Sequence, residues 1–407
     1  MSDRNHVHHE RVAVHLRLPV LDSLRAVGAL MVLTTHTAFQ AGDYLRHGYL
    51  GTLLARLDVG VAIFFVLSGF LLSRPWIARA AIGAPRPQAS RYYERRLLRI
   101  YPVYMMSVAA ALLLIPGNDH SGFRQWLSSM FMADSYLNNH LPHGLTQMWS
   151  LAVELAFYLI LPIIMRLVVK NDWLKPRRLA ALLVAMSLIS VAWHLKLSDL
   201  IAPHTAGLTG IWFPAYLTWF AVGISLAWAH VHLQQGSPRR GTELLRQIGQ
   251  LPGVCLSTAL GLMLIVSTPI GGPALFQVGT AGESLSKHLL YALVGALVVI
   301  TGVWADPQSR YARIMSSRPA RHLGHISYSL FCIHVGVITF VMWITGYGLF
   351  EGRGLQIWGL TLLISLILAE ISYRCVELPF LRLKTRVSST PVNANAATTT
   401  ITADKAN

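Results

Sequence analysis

Leu21-Asp22-Ser23-Leu24-Arg25-Ala26-Val27-Gly28-Ala29-Leu30-Met31-Val32-Leu33-Thr34-Thr35-His36 is the stretch that decides the fold. It is an apolar run with an arginine near one end and a histidine at the other. At about 100° per residue, the interval from Arg25 to His36 returns to within about 20° of its starting direction, about 16 Å further along the axis. One helix face therefore carries both, and Asp22, one turn before Arg25, is placed to pair with it. Apolar runs near the ~20 residues that cross a bilayer recur along the chain, giving ten candidate spans at 20–40, 58–78, 100–116, 148–169, 179–197, 210–231, 251–270, 286–305, 326–346 and 355–375.

Composition agrees. Of 407 residues, 54% are hydrophobic and 13% are charged, about half the charged fraction of a soluble protein. No hydrophilic segment is long enough for a soluble domain, and no internal repeat is visible. The class expected is all-α, a polytopic transmembrane bundle in the cell membrane. Lysine and arginine orient it. With the N-terminus inside, the inner segments carry 24 of them and the outer loops 5, counting Lys287 with the loop it adjoins. Both termini are therefore expected in the cytoplasm, as tails at 1–19 and 382–407, the second disordered.

The net charge of +16 sits in short loops between apolar runs, so nucleic acid is not the expected partner. Basic loops attract anionic lipid headgroups and can gather a polyanionic cosubstrate. Cys255, Cys332 and Cys375 form no CxxC pair, so neither a disulfide framework nor a metal cluster is expected. Cys332, within an apolar run, reads as a small hydrophobe. His6, His8, His9 and Glu10 allow a metal site in the N-terminal tail, against the plainer reading of a flexible segment.

Ionisable groups deep in a span need a partner or a function. Arg25 can snorkel to inner headgroups. His36 is too short to do so, which leaves an interhelical hydrogen bond or chemistry. Ser68-Gly69 in the second span favours close helix packing over a Ser68 nucleophile. Arg91, Arg95, Arg96 and Arg99 precede Tyr101-Pro102. They serve either as topology signals or as forks for phosphate. In the fourth span Ser150, Glu154 and Tyr158 recur every four residues on one face, after Trp149. In the ninth, Ser327, Phe331 and His334 share a side with Tyr328 beside them, and His334 reads first as an interhelical hydrogen bonder. Glu370 and Glu377 are placed to balance inner arginines.

Six segments in this order together resemble the acyltransferase-3 family of bacterial membrane O-acyltransferases. They are Leu21-Asp22-Ser23-Leu24-Arg25 with His36, Phe64-Phe65 with Ser68-Gly69-Phe70, Arg95-Arg96 with Arg99 and Tyr101-Pro102, Trp149-Ser150-Leu151 with Glu154, Ser327-Tyr328-Ser329-Leu330 with His334, and Glu377-Leu378-Pro379. The likeness covers Leu21 to about Leu381, so 20–381 is expected to be one transmembrane acyltransferase domain. It departs at Ser23, where members often have glycine, and the form expected is the stand-alone one, without the C-terminal SGNH-type hydrolase domain of some members.

The resemblance implies an acyl-coenzyme A donor reached from the cytoplasm, with a leaning towards acetyl. It also implies a hydroxyl acceptor on a carbohydrate, envelope glycan, glycolipid or glycosylated natural product. The family's Arg-x10-His motif maps onto Arg25 and His36. On this reading His36 is general base on the acceptor hydroxyl or a relayed acyl group, and Arg25 with Arg95, Arg96 and Arg99 holds coenzyme A. Glu154 sets the His36 tautomer or binds sugar. Asp22, Ser68, Trp149, Ser150, Tyr328 and His334 bind substrate or support the site, and no metal is needed. The competing class is a proton-coupled transporter, which buried charges also build and which the lack of paired repeats disfavours. Oligomeric state is left open.

Overall fold

In the computed structural model, residues 18–236, 238–274 and 279–387 are described. They form ten principal helices: α1 Pro19–Ala41, α2 Gly60–Ala81, α3 Ala89–Leu114, α4 Met148–Val168, α5 Pro176–Ala192, α6 Leu217–Gln234, α7 Pro252–Val266, α8 Ala281–Trp304, α9 Arg318–Thr345 and α10 Gly354–Ser372. The only strands among the described residues are Val169–Lys170 and Trp173–Leu174, an antiparallel pair. Asn171 and Asp172 link them at φ 51° and 61°, the left-handed pair that a tight two-residue hairpin requires.

Local signals set the helix limits. Pro19 opens α1 where a missing N–H costs nothing, and Gly42 closes it at φ 78°, a conformation glycine adopts without penalty. Thr280 and Glu283 cap α8 reciprocally. The Ser317 hydroxyl caps α9 by accepting from the Ala320 N–H.

α2 lies at the centre and is buried nearly all round, as a helix apolar on every side must be. α6 packs along one flank and α1 along another, with α8 behind. α9 and α10 stack on α1, and α5 lies outside α6. Gly69 of α2 and Gly223 of α6 make the closest approach. A β-carbon on either would run into the backbone of the other helix, so Ser68-Gly69 does mark close packing. Phe220 stacks between Phe65 (4.8 Å) and Phe157 (4.1 Å), joining α6 to α2 and α4.

The outer faces of the bundle are apolar: Leu114 is 77% exposed and Trp343 70%. Such a surface belongs in lipid. Among the described residues, seven helical stretches are long and apolar enough to cross a membrane. The bent pair Arg240–Gly249 and α7, which turn through 89°, would make an eighth if they act as one span. The protein is thus a multi-pass membrane bundle, but by this measure the count falls short of the expected ten. α1 and α6 are diluted by polar residues, and the span expected at 251–270 is the short α7 beyond an elbow.

The N-terminal tail with His6, His8, His9 and Glu10 lies outside the described residues, as does most of the C-terminal one. Leu378–Val387 is helical, so helix continues past residue 382, where the tail was expected to begin.

Candidate functional site

Three cavities follow one another through the bundle. A wide one of about 480 Å³ opens at the end rich in arginine, between α2 and α3. A small one of about 60 Å³ lies in the middle. A second wide one, about 520 Å³, opens at the other end between α1, α4, α8 and α9. The middle and far cavities share Ser150 and Phe331 as wall.

Arg79, Arg86, Arg91, Arg95 and Arg96 line the first cavity. Arg96 reaches inward, its guanidinium 5.9 Å from the Tyr92 ring and 5.7 Å from that of Tyr158. Its buried Nε has no hydrogen-bond partner among the described residues. A planar cation with an unused buried donor suits a phosphate oxygen. Arg99 does not join this group. It lines the middle cavity with Arg25, so the expected trio divides between two chambers. The cause is helical geometry: Arg99 lies nearer the centre of α3 than Arg95 and Arg96 do.

The middle cavity is built on Glu154. Its carboxylate accepts hydrogen bonds from the Ser68 hydroxyl and from Tyr158 Oη, the latter at 2.5 Å. Ser150, Glu154 and Tyr158 all face this chamber, as their spacing required. Ser68 thus spends its hydroxyl proton on the Glu154 carboxylate, bridging α2 to α4. Tyr328, also in the wall, donates to the Ile100 carbonyl at 2.6 Å and ties α9 to α3.

Two expected pairings are corrected. Asp22 faces across to His325 on α9 (Oδ2 to Nε2 3.9 Å) rather than pairing with Arg25. Glu154 is held by Ser68 and Tyr158, so it does not set the His36 tautomer. The ring beside His36 is that of His334, with centroids 5.4 Å apart. Glu370 pairs with Arg374 at 2.5 Å and His322 at 2.7 Å, an inner-end balance as expected. Glu377 is buried and accepts from Ser329 at 3.1 Å.

His36 lines the far cavity with Thr35, Gln40, Tyr44, Asp58, Gln147, Trp149 and Lys287. Asp58 holds Lys287 at 2.7 Å and accepts from the Tyr291 hydroxyl. The buried Arg56 donates to the carbonyls of Val266 (3.0 Å) and Gly272. Tyr44 donates to the Thr35 carbonyl at 2.8 Å, and burial holds its hydroxyl above the ordinary phenol range. It is therefore a neutral donor at physiological pH. Arg56, Asp58, Lys287 and Gln147 in this wall were not among the expected site residues. One signal was present: Asp58 and Lys287, opposite in sign, sit at the same outer margin of their expected spans. Cys332 is buried among apolar neighbours, as its setting predicted.

A family model described as an acyltransferase domain matches residues 18–373. The peptidoglycan O-acetyltransferase OatA of Listeria monocytogenes is 25% identical over 388 residues, covering 89% of this chain and 55% of that protein. The O-acetyltransferase OatA of Staphylococcus aureus is 25% identical over 377 residues, covering 89% of this chain and 57% of its own length. The chain thus spans little more than half the length of these curated relatives. No solved structure matches.

Proposed function

The chain belongs to the acyltransferase-3 family, and from that premise we propose that it moves an acyl group, acetyl by preference, from acyl-coenzyme A to a hydroxyl of an envelope carbohydrate. The observation that carries this reading is the succession of cavities: an arginine-lined mouth at one end, a polar waist, and a mouth at the other end with His36 in its wall.

Coenzyme A is a polyanion with a long neutral arm ending in a thioester. Arg95 and Arg96 grip its phosphates in the first cavity. The arm passes the waist between Arg25, Arg99 and Glu154, which brings the thioester towards His36. The acceptor enters the far cavity, where Trp149 offers a flat apolar face to a sugar ring and Gln147 offers its Oε1, which has no hydrogen-bond partner among the described residues. His36, as general base, takes the hydroxyl proton while the oxygen attacks the thioester carbon. The peptidoglycan in the name of the Listeria relative makes a glycan of that type the first acceptor to try.

The test uses purified protein in proteoliposomes with acetyl-coenzyme A and muropeptide fragments. Free thiol should appear with ester on the glycan, and Arg95→Ala with Arg96→Ala should weaken donor binding, more so at high salt, where the remaining exposed charges are screened. Uptake of solute without thioester loss would identify a transporter instead.

A further inference from the structure

We propose that His334 is the positioning residue for His36: a neutral imidazole that fixes which His36 nitrogen faces the acceptor. This rests on the acyltransferase reading above, and it concerns a residue outside the motif that suggested it.

His334 lies on α9 with its side chain wholly buried. Its Nδ1 is 2.8 Å from the Phe331 carbonyl one turn earlier. A carbonyl only accepts, so Nδ1 carries the proton and the neutral ring presents Nε2 as a bare lone pair. That Nε2 is buried and has no hydrogen-bond partner among the described residues. Buried polar atoms are nearly always satisfied, and an orphan calls for an explanation. The polar ring next to it is His36, 5.4 Å away between centroids and inclined by 49°.

A small rotation of His36 turns one of its N–H groups onto His334 Nε2. Its other nitrogen is then unprotonated and faces the cavity that holds Thr35, Gln40 and Trp149. The logic is that of a Ser-His-Asp triad, in which a third group holds the base in the correct tautomer. Here that third group is uncharged. The nearby carboxylate that could have served, Asp58, is already engaged by Lys287 and Tyr291.

In the transfer step the acceptor O–H bond breaks and its proton passes to the bare His36 nitrogen. The oxygen forms a bond to the thioester carbonyl carbon, and the C–S bond breaks with its electron pair going to sulfur. The His36 proton then passes to the departing thiolate, giving ester and free thiol. Throughout, the His36–His334 hydrogen bond holds the ring and spreads the transient positive charge.

Two substitutions separate orientation from mere packing. Gln places an acceptor oxygen near the Nε2 position but loses the bond to Phe331. Asn keeps a donor for Phe331 but has nothing at Nε2. The proposal expects His334→Gln to retain turnover within about tenfold of wild type and His334→Asn to lose about 10- to 100-fold in kcat, with donor KM little changed. An Asn variant as good as or better than the Gln variant overturns it. A second measurement needs no His334 variant: histidine 15N shifts of the wild-type protein, assigned against His36→Ala. They should show His334 protonated at Nδ1, with an Nε2 signal that moves when His36 is removed; a proton on Nε2 overturns the proposal. If His36→Ala itself stays active, it is the general-base reading that fails, independently of either result.

Discussion

Arg25 and His36 share one face of α1 yet serve different chambers, Arg25 the waist and His36 the far mouth. That division lets their roles be tested apart. His36→Ala should cut ester formation by ~10²–10⁴-fold, the usual contribution of a positioned base, while the protein stays monodisperse in detergent. A folded variant keeping more than about a tenth of wild-type turnover lies below that range and would make His36 a structural residue. Arg25→Lys keeps charge but not the planar fork; it should impair turnover if Arg25 grips a carbonyl or phosphate, and leave it intact if Arg25 only snorkels. Both residues were legible in the sequence, because a polar side chain in an apolar run advertises itself. Partners from other helices were not: the neighbour of His36 comes from α9 and the Ser68 donor to Glu154 from α2, and such pairings depend on helix rotation and depth, which one helix's pattern does not encode; Tyr158, one turn from Glu154 on α4, was legible.

At the scale of elements, the crossing of α2 and α6 holds the site's walls in register. Gly223 meets the backbone of Val66 and Phe70 so closely that a side chain there must force the helices apart. Gly223→Val should cost ~1–3 kcal/mol or more by overpacking, seen as a lower thermal midpoint in detergent and lost activity together. Gly261→Val on α7, where nothing lies within 4 Å, should leave both nearly unchanged. A stable Gly223→Val protein would show that the contact is not critical. Every expected span found a helix, since apolar length is a strong signal. The irregular ends did not announce themselves. The span expected at 179–197 closes with a π-helical turn, Trp193–Leu197, and the amphipathic Arg240–Gly249 lies before an elbow.

For the molecule as a whole, the distribution of lysine and arginine predicts that the arginine-lined mouth faces the cytoplasm. In a background with the exposed Cys375 replaced by serine, Asn139→Cys should react with an impermeant maleimide in intact cells, and Ser90→Cys should react only after lysis. Both positions are exposed, so accessibility reports sidedness. The reverse pattern would invert the donor and acceptor mouths along with the topology. Class follows from composition, which averages over many residues. The number of crossings is less legible, because Arg25 and His36 on α1 and His230 and His232 on α6 dilute the signal used to count spans.

The waist of about 60 Å³ between two wide mouths also shapes the electric field. If each mouth fills with water from its own side, the membrane voltage is expected to fall mainly across the short stretch holding Arg25, Arg99 and Glu154. One elementary charge carried through 100 mV is worth about 2.3 kcal/mol. On the proposed reading, with coenzyme A phosphates held in the arginine-lined mouth, only an uncharged arm and its acyl group traverse that drop. The voltage would then do no work on the transferred group, and turnover is expected to be indifferent to whether the cell is energised.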